Sequence, residues 1–117
     1  MKPCVGRYAV LGLLLLTCVV HGRSIGFDFV NWDDDAFILQ NTLVTNPANH
    51  SLTEHLLTPL YGYAIPITNL SYALNYAVHG ANPIGFHLVN LCLHILVVLG
   101  AFSLLRAWKF SWGIAAF

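Results

Sequence analysis

The sequence predicts an all-α membrane protein: two transmembrane helices flanking an exported loop that carries a short helix and an amphipathic interfacial helix. Three observations predict it: scarce charge, two long apolar runs, and a separation of acidic from basic residues along the chain. Of 117 residues, 57% are hydrophobic and 9% charged, against about 25% charged in soluble globular domains. Five Lys/Arg balance five Asp/Glu, so no net charge draws nucleic acid or an acidic partner to the whole surface. The expected surroundings are a lipid bilayer.

Every acidic residue (Asp28, Asp33, Asp34, Asp35, Glu54) falls between His21 and Phe86, while Lys2, Arg7, Arg106 and Lys109 lie outside that stretch. Lys and Arg are retained on the cytoplasmic side of short membrane loops. The N-terminus and the turn at 106–109 therefore read as cytoplasmic. Residues 21–86 read as non-cytoplasmic, facing the periplasm from a bacterial inner membrane or the equivalent lumen of the endoplasmic reticulum. Cys4, Cys18 and Cys92 sit in or beside apolar segments, and no disulfide framework is implied.

Residues 1–22 hold the first span. The apolar run 8–20 has 13 residues, short of the roughly 20 that cross a bilayer. Extension to 3–22 reaches that length and leaves Arg7 at an interface, where its side chain can snorkel. An uncleaved signal-anchor helix is expected. A cleavable signal peptide is the alternative, and the A-x-A-like site it needs is missing around 21–24.

Residues 23–86 form the exported acidic loop. Up to residue 65 no helical or strand period is sustained, and Gly22, Gly26, Pro47, Pro59 and Gly62 punctuate the chain as turns require. Phe27, Phe29, Trp32 and Phe37 are more aromatic surface than a disordered tether carries. Ser51 with Glu54 three residues on has capping-box spacing and predicts a short helix over 51–57, ended by Pro59. From Pro66, the recurrence of Ile67, Leu70, Leu74 and Ala77 predicts an amphipathic helix over 66–79. Such a helix suits a membrane surface or the flank of other membrane helices.

The second span, 87–105, has 19 uncharged residues, enough to cross the hydrocarbon core. Arg106, Trp108 and Lys109 then form an interfacial cluster. Residues 106–117 are expected to be a cytoplasmic turn and the start of a third span, so the chain is expected to be an N-terminal piece of a larger protein.

Asp33, Asp34 and Asp35 follow one another just beyond the first span. Neighbouring carboxylates repel, so a fold that keeps them together can hold a divalent cation such as Mg²⁺ or Mn²⁺, or raise one pKa to make a general base. A solvated acidic turn is the plainer reading. His87, Asn90 and His94 fall at i, i+3 and i+7 and draw a polar seam along the second span. Intramembrane polar groups face protein or water rather than lipid. His87, near the exported interface, is placed to touch a ligand headgroup, whereas Asn90 and His94 read as hydrogen-bonding partners of neighbouring helices. His21, His50, His55 and His79 show no metal-ligand spacing. Phosphate-binding Gly-rich loops, serine elbows, zinc patterns and basic stripes for nucleic acid are all missing from the sequence.

The order of features is more informative than any one of them. F-x-N-W-D-D at 29–34, Asn41, P-I-T at 66–68, L-S-Y-A-L-N-Y at 70–76, G-x-N-P at 80–83 and G-F-H-L-V-N-x-x-L-H at 85–94 together resemble the N-terminal region of the tetratricopeptide-repeat-bearing transmembrane O-mannosyltransferase-like proteins and their bacterial relatives, of the GT-C glycosyltransferase fold. The resemblance runs from about Gly26 to Arg106. It implies a polytopic enzyme that moves a sugar, often mannose, from a polyprenyl-phosphate carrier to a hydroxyl of a protein or glycan acceptor on the non-cytoplasmic side. Asp33 and Asp34 match the family's acidic pair, catalytic or metal-associated. Asn41, inside the matched blocks, joins Asp35 and His87 as a candidate binding residue.

Two departures stand out. Ile65 occupies the place where family members carry a basic residue before the proline, and the further spans and repeats lie outside these residues. The 117-residue chain alone is accordingly expected to be inactive. The competing expectation is a small two-span protein whose exported loop is an interaction module without catalysis.

Overall fold

The computed structural model describes residues 3–115, and no strand occurs among them. Lys2 and the last two residues of the expected third span lie outside that range, as does the side chain of Cys4. The chain divides into two compact units, one formed by Met1–Ile25 with His87–Phe117 and the other by Gly26–Phe86.

The first unit holds α1 (Pro3–His21), which continues into a 3₁₀ turn at Gly22–Gly26, most of α5 (Pro83–Ala107), and the short α6 (Trp112–Ala115). Two helices are long and apolar enough to cross a membrane, Gly6–Gly26 and Pro83–Ala107. Their apolar side chains are not folded away: Leu11, Leu15, Leu16 and Val19 of α1, and Leu93, Leu96, Val97 and Leu104 of α5, are all exposed. A helix apolar all round belongs in a large core or in lipid, and these helices lack the core. Their backbones meet the bilayer's demand as well, since an α-helix pairs its polar groups internally. Together they make this an all-α membrane protein. α5 ends in a Schellman pattern, with Lys109 N–H donating to Arg106 O, Phe110 N–H to Leu105 O, and Lys109 itself at φ +66°.

The second unit is built on α4 (Pro66–His79), whose bounds are those the periodicity predicts. Before it come a π-helical turn at Asp35–Leu39, α2 (Thr42–Thr45), a 3₁₀ turn at Pro47–Asn49 and α3 (Leu52–Leu57). None exceeds six residues, too short to imprint a period, which is why the sequence reads as loop here. α2 and α3 both pack on α4. Ile38, Val44 and Phe86 form the core, with Phe29, Leu39, Tyr72 and Tyr76 against it. Burying a side chain the size of Phe86 contributes about 1.5–3 kcal/mol.

α4 is turned opposite to a helix that hides its apolar stripe. Ile67, Leu74 and Val78 face outward, while Asn69, Ala73 and Asn75 are buried. Asn69 Oδ1 accepts from Asn41 Nδ2 at 3.4 Å, and Asn75 Oδ1 lies 2.8 Å from His79 Nδ1. The unit thus has a partly hydrogen-bonded interior and leaves its aliphatic stripe for lipid or other helices.

The corner between α4 and α5 explains the G-x-N-P-x-G-F run. Gly80 adopts φ +61°, ψ −148°, a region open essentially to glycine alone. Asn82 Oδ1 accepts from Ile84 N–H at 3.1 Å, Pro83 opens α5, and Phe86 plugs the core.

Candidate functional site

The acidic run is helical rather than an irregular turn. Trp32 N–H donates to Val30 O at 2.8 Å, and Val30 N–H donates to Asp34 Oδ2 at 2.9 Å. This clasp fixes one oxygen of Asp34 and leaves the other free of the backbone. Asp33 and Asp34 begin the helical geometry, and Gln40 N–H to Asp35 O, at 2.8 Å, closes the π-helical turn behind them. Positions four apart in a helix stack on one face, so Asp33 and Asp34 share theirs with Phe37 and Ile38. Asp35 opens the π-helical turn and is not among the lining residues.

That face forms one wall of a cleft of about 200 Å³, and Ile65, Thr68 and Tyr72 form the other. Tyr72 is half-buried between the core and the cleft. Burial, and then the charges of Asp34 and Asp33, push its phenol above the ordinary 10.0, because each disfavours a second anion here. Two carboxylates and a phenol thus line the same cleft. Ile65 presents an apolar side chain where the resemblance leads one to expect a basic one.

Among the described residues, no group of three His, Cys, Asp or Glu is placed to hold a metal ion. Asp33 and Asp34 are a pair, which fits the habit of Mg²⁺ of taking one or two carboxylates and completing its shell with water and substrate phosphate.

The other sequence candidates, Asn41 and His87, are not among the residues that line the cleft. Asn41 is buried and engaged in the scaffold: Oδ1 accepts from Leu43 N–H at 3.1 Å to cap α2, and Nδ2 donates to Phe37 O at 3.1 Å as well as to Asn69. Its contact with Phe37 braces the cleft from behind. His87 belongs to the membrane unit, and its Nε2 is buried with no hydrogen-bond partner among the described residues. In that same unit His94 meets the ring of His21 edge-on at 4.4 Å, and both line a hollow with Ser24 and Asn90.

Sequence reasoning missed Tyr72, Thr68, Phe37 and Ile38 as cleft residues. The available signal was the i, i+4 relation of Asp33 to Phe37, which is legible only once that segment is known to be helical.

The class is therefore an all-α membrane protein with an acidic cleft in a small helical unit. Compared with known proteins, the chain is similar to the protein O-mannosyl-transferase Tmtc1 of Drosophila melanogaster, 34% identical over 103 residues, 81% of this chain and 12% of the relative. It is also similar to the mouse (Mus musculus) protein O-mannosyl-transferases TMTC1, 30% identical over 71% of this chain and 10% of the relative, and TMTC4, 30% identical over 82% and 14%. The homology is weak and partial, and the chain spans 4–15% of the length of the curated relatives it matches. No family model matches the sequence, and no solved structure matches the chain.

Proposed function

We propose that these residues supply the acidic part of a polytopic membrane glycosyltransferase that moves a sugar, mannose in the reading that best fits its relatives, from a polyprenyl-phosphate carrier to a hydroxyl acceptor. The single observation that carries the reading is the cleft in which Asp33 and Asp34 face Tyr72. A carboxylate of the pair takes the proton of the acceptor hydroxyl as its oxygen bonds to the reacting carbon of the sugar, and the carrier phosphate leaves with the electron pair of the broken bond. Tyr72 donates a hydrogen bond that orients the acceptor or the sugar, since positioning lowers the barrier alongside proton transfer. Asp33 and Asp34 are the residues that would hold a Mg²⁺ or Mn²⁺, whose chemistry would be stabilisation of the leaving phosphate.

The cleft faces away from the cytosol in this reading, supported by charge. All five Asp/Glu belong to Gly26–Phe86, and all five Lys/Arg belong to the membrane unit. In a longer protein carrying this segment, Asp33→Asn and Asp34→Asn are expected to lower kcat roughly 10²–10⁴-fold and to leave membrane insertion intact. Wild-type turnover in both variants would remove the carboxylates from the mechanism. The 117-residue chain alone is expected to transfer no sugar, because it spans only 12% of a relative such as Tmtc1.

A second reading, an interaction module without catalysis, is favoured by one observation: the outward Ile67, Leu74 and Val78 of α4 are uncovered and offer a partner helix an apolar stripe.

A further inference from the structure

Just before α4 the chain makes a tight reversal that the fold itself does not require to be aromatic. Leu60 N–H donates to Tyr63 O at 3.0 Å and Tyr63 N–H returns to Leu60 O at 2.8 Å. The two residues between them have positive φ, +49° at Tyr61 and +83° at Gly62. Two positive φ values define the type I′ turn, whose first central position favours Asn, Asp or Gly. A bulky ring there is a backbone outlier. Strained residues of this kind gather at functional sites, and the inference runs from the observed outlier to a role.

What the strained turn achieves is display. Tyr61 and Tyr63 are 64% and 63% exposed, so neither ring is held in place by the core. Both lean on Phe37, at ring separations of 5.6 Å and 6.4 Å. Phe37 in turn lines the cleft beside Asp33 and Asp34. A continuous aromatic lip therefore runs from the exposed turn to the carboxylates. Aromatic faces attract the C–H face of a ring-shaped ligand through their quadrupole, and tyrosine gives that area at small entropic cost. Carboxylates and the protonated phenol of Tyr72 suit a ligand edge rich in hydroxyls. A neutral pyranose has both: a C–H face and a hydroxyl rim.

We propose that Tyr61 and Tyr63, braced by Phe37, form a pyranose-stacking platform at the mouth of the acidic cleft. Its part in sugar transfer rests on the glycosyltransferase reading, whereas ring binding itself needs neither carrier nor turnover.

The test is saturation-transfer NMR of methyl pyranosides against the full chain in a sugar-free phosphocholine detergent, with thermal unfolding followed in parallel. Wild type is expected to saturate the ring C–H protons of the pyranoside. Tyr61→Ala with Tyr63→Ala is expected to weaken binding roughly 100-fold, and Tyr61→Gly alone about ten-fold, from the usual worth of one stacked ring. Tyr61→Phe keeps the ring and is expected to stay within roughly five-fold of wild type, the scale of one lost hydrogen bond. Tyr61→Gly also relieves the backbone and is expected to raise the unfolding midpoint, so that stability and binding move in opposite directions. Wild-type binding by Tyr61→Gly, or a lower midpoint for it, would overturn the proposal. Absence of ring C–H saturation in wild type would overturn this platform, whereas wild-type turnover of Asp33→Asn and Asp34→Asn in a longer protein carrying the segment would overturn only the catalytic reading.

Discussion

A Cβ placed on Gly85 would lie 2.5 Å from Cγ of His79 and 2.7 Å from its Cβ. Those atoms are the root of the imidazole, not its flexible end, and the root is held because His79 Nδ1 sits 2.8 Å from Asn75 Oδ1. Gly85→Ala is therefore expected to destabilise the α4–α5 corner by about 1–3 kcal/mol, the usual range for overpacking, even though Ala is the better helix former by about 1 kcal/mol. Thermal unfolding in detergent measures it. The double variant Gly85→Ala, His79→Ala should recover most of the loss, and failure to recover would place the strain elsewhere.

Asn41 separates scaffold from site. Asn41→Ala removes the cap of α2 and is expected to cost about 1–2 kcal/mol. Asn41→Asp keeps the acceptor for Leu43 N–H but gives up the donor to Phe37 O and buries a charge, so it should destabilise at least as much. Hydrogen exchange at residues 42–45 reads both variants. If Asn41→Asp is as stable as wild type, the buried amide is not structural.

The capping box of α3 carries a pH dependence. Ser51 N–H donates to Glu54 Oε2 at 2.7 Å and Glu54 N–H to Ser51 Oγ at 3.2 Å. The backbone bond from Ser51, then its hydroxyl, then His50, hold the Glu54 carboxyl below its ordinary 4.5. A depressed carboxylate pKa contributes stability above the unfolded value and loses it as pH falls through the folded one. Amide protection in Leu52–Leu57 is thus expected to decline below about pH 4.5, by a small amount because Glu54 is exposed. Ser51→Ala should flatten that dependence, and an unchanged profile in the variant would detach it from the cap.

Tyr72 carries the opposite sign. Burial, then Asp34, then Asp33, raise its pKa above 10.0, so its contribution to stability is complete below that value and is lost as pH climbs through the folded one. Asp33→Asn with Asp34→Asn is expected to lower the Tyr72 titration only part of the way back, since burial is the leading cause. Tyrosinate absorbance with Tyr72→Phe as reference resolves it. Full return to 10.0 would mean that the carboxylates, not burial, dominate.

Local rules left clear marks in the sequence, and tertiary choices did not. The cap at Ser51, the bounds of α4 and the long apolar run depend on neighbours within four residues or on composition, and each is where the sequence places it. α5 begins four residues before the expected span because Asn82 and Pro83 start a helix regardless of hydropathy. The orientation of α4 was hidden: aliphatic spacing locates a stripe but cannot say whether protein or lipid covers it. The cleft was half legible. Asp33 and Asp34 stand out as letters, while Tyr72, 38 residues after Asp34 (72 − 34) in α4, joins them only through folding.

Because α4 turns its amides inward and its aliphatics outward, the outer positions Ile67, Leu74 and Val78 and the inner Asn41–Asn69 contact do not compete for the same space. A substitution on that outer stripe therefore changes what the helix offers its surroundings and leaves the inner amide contact as it is.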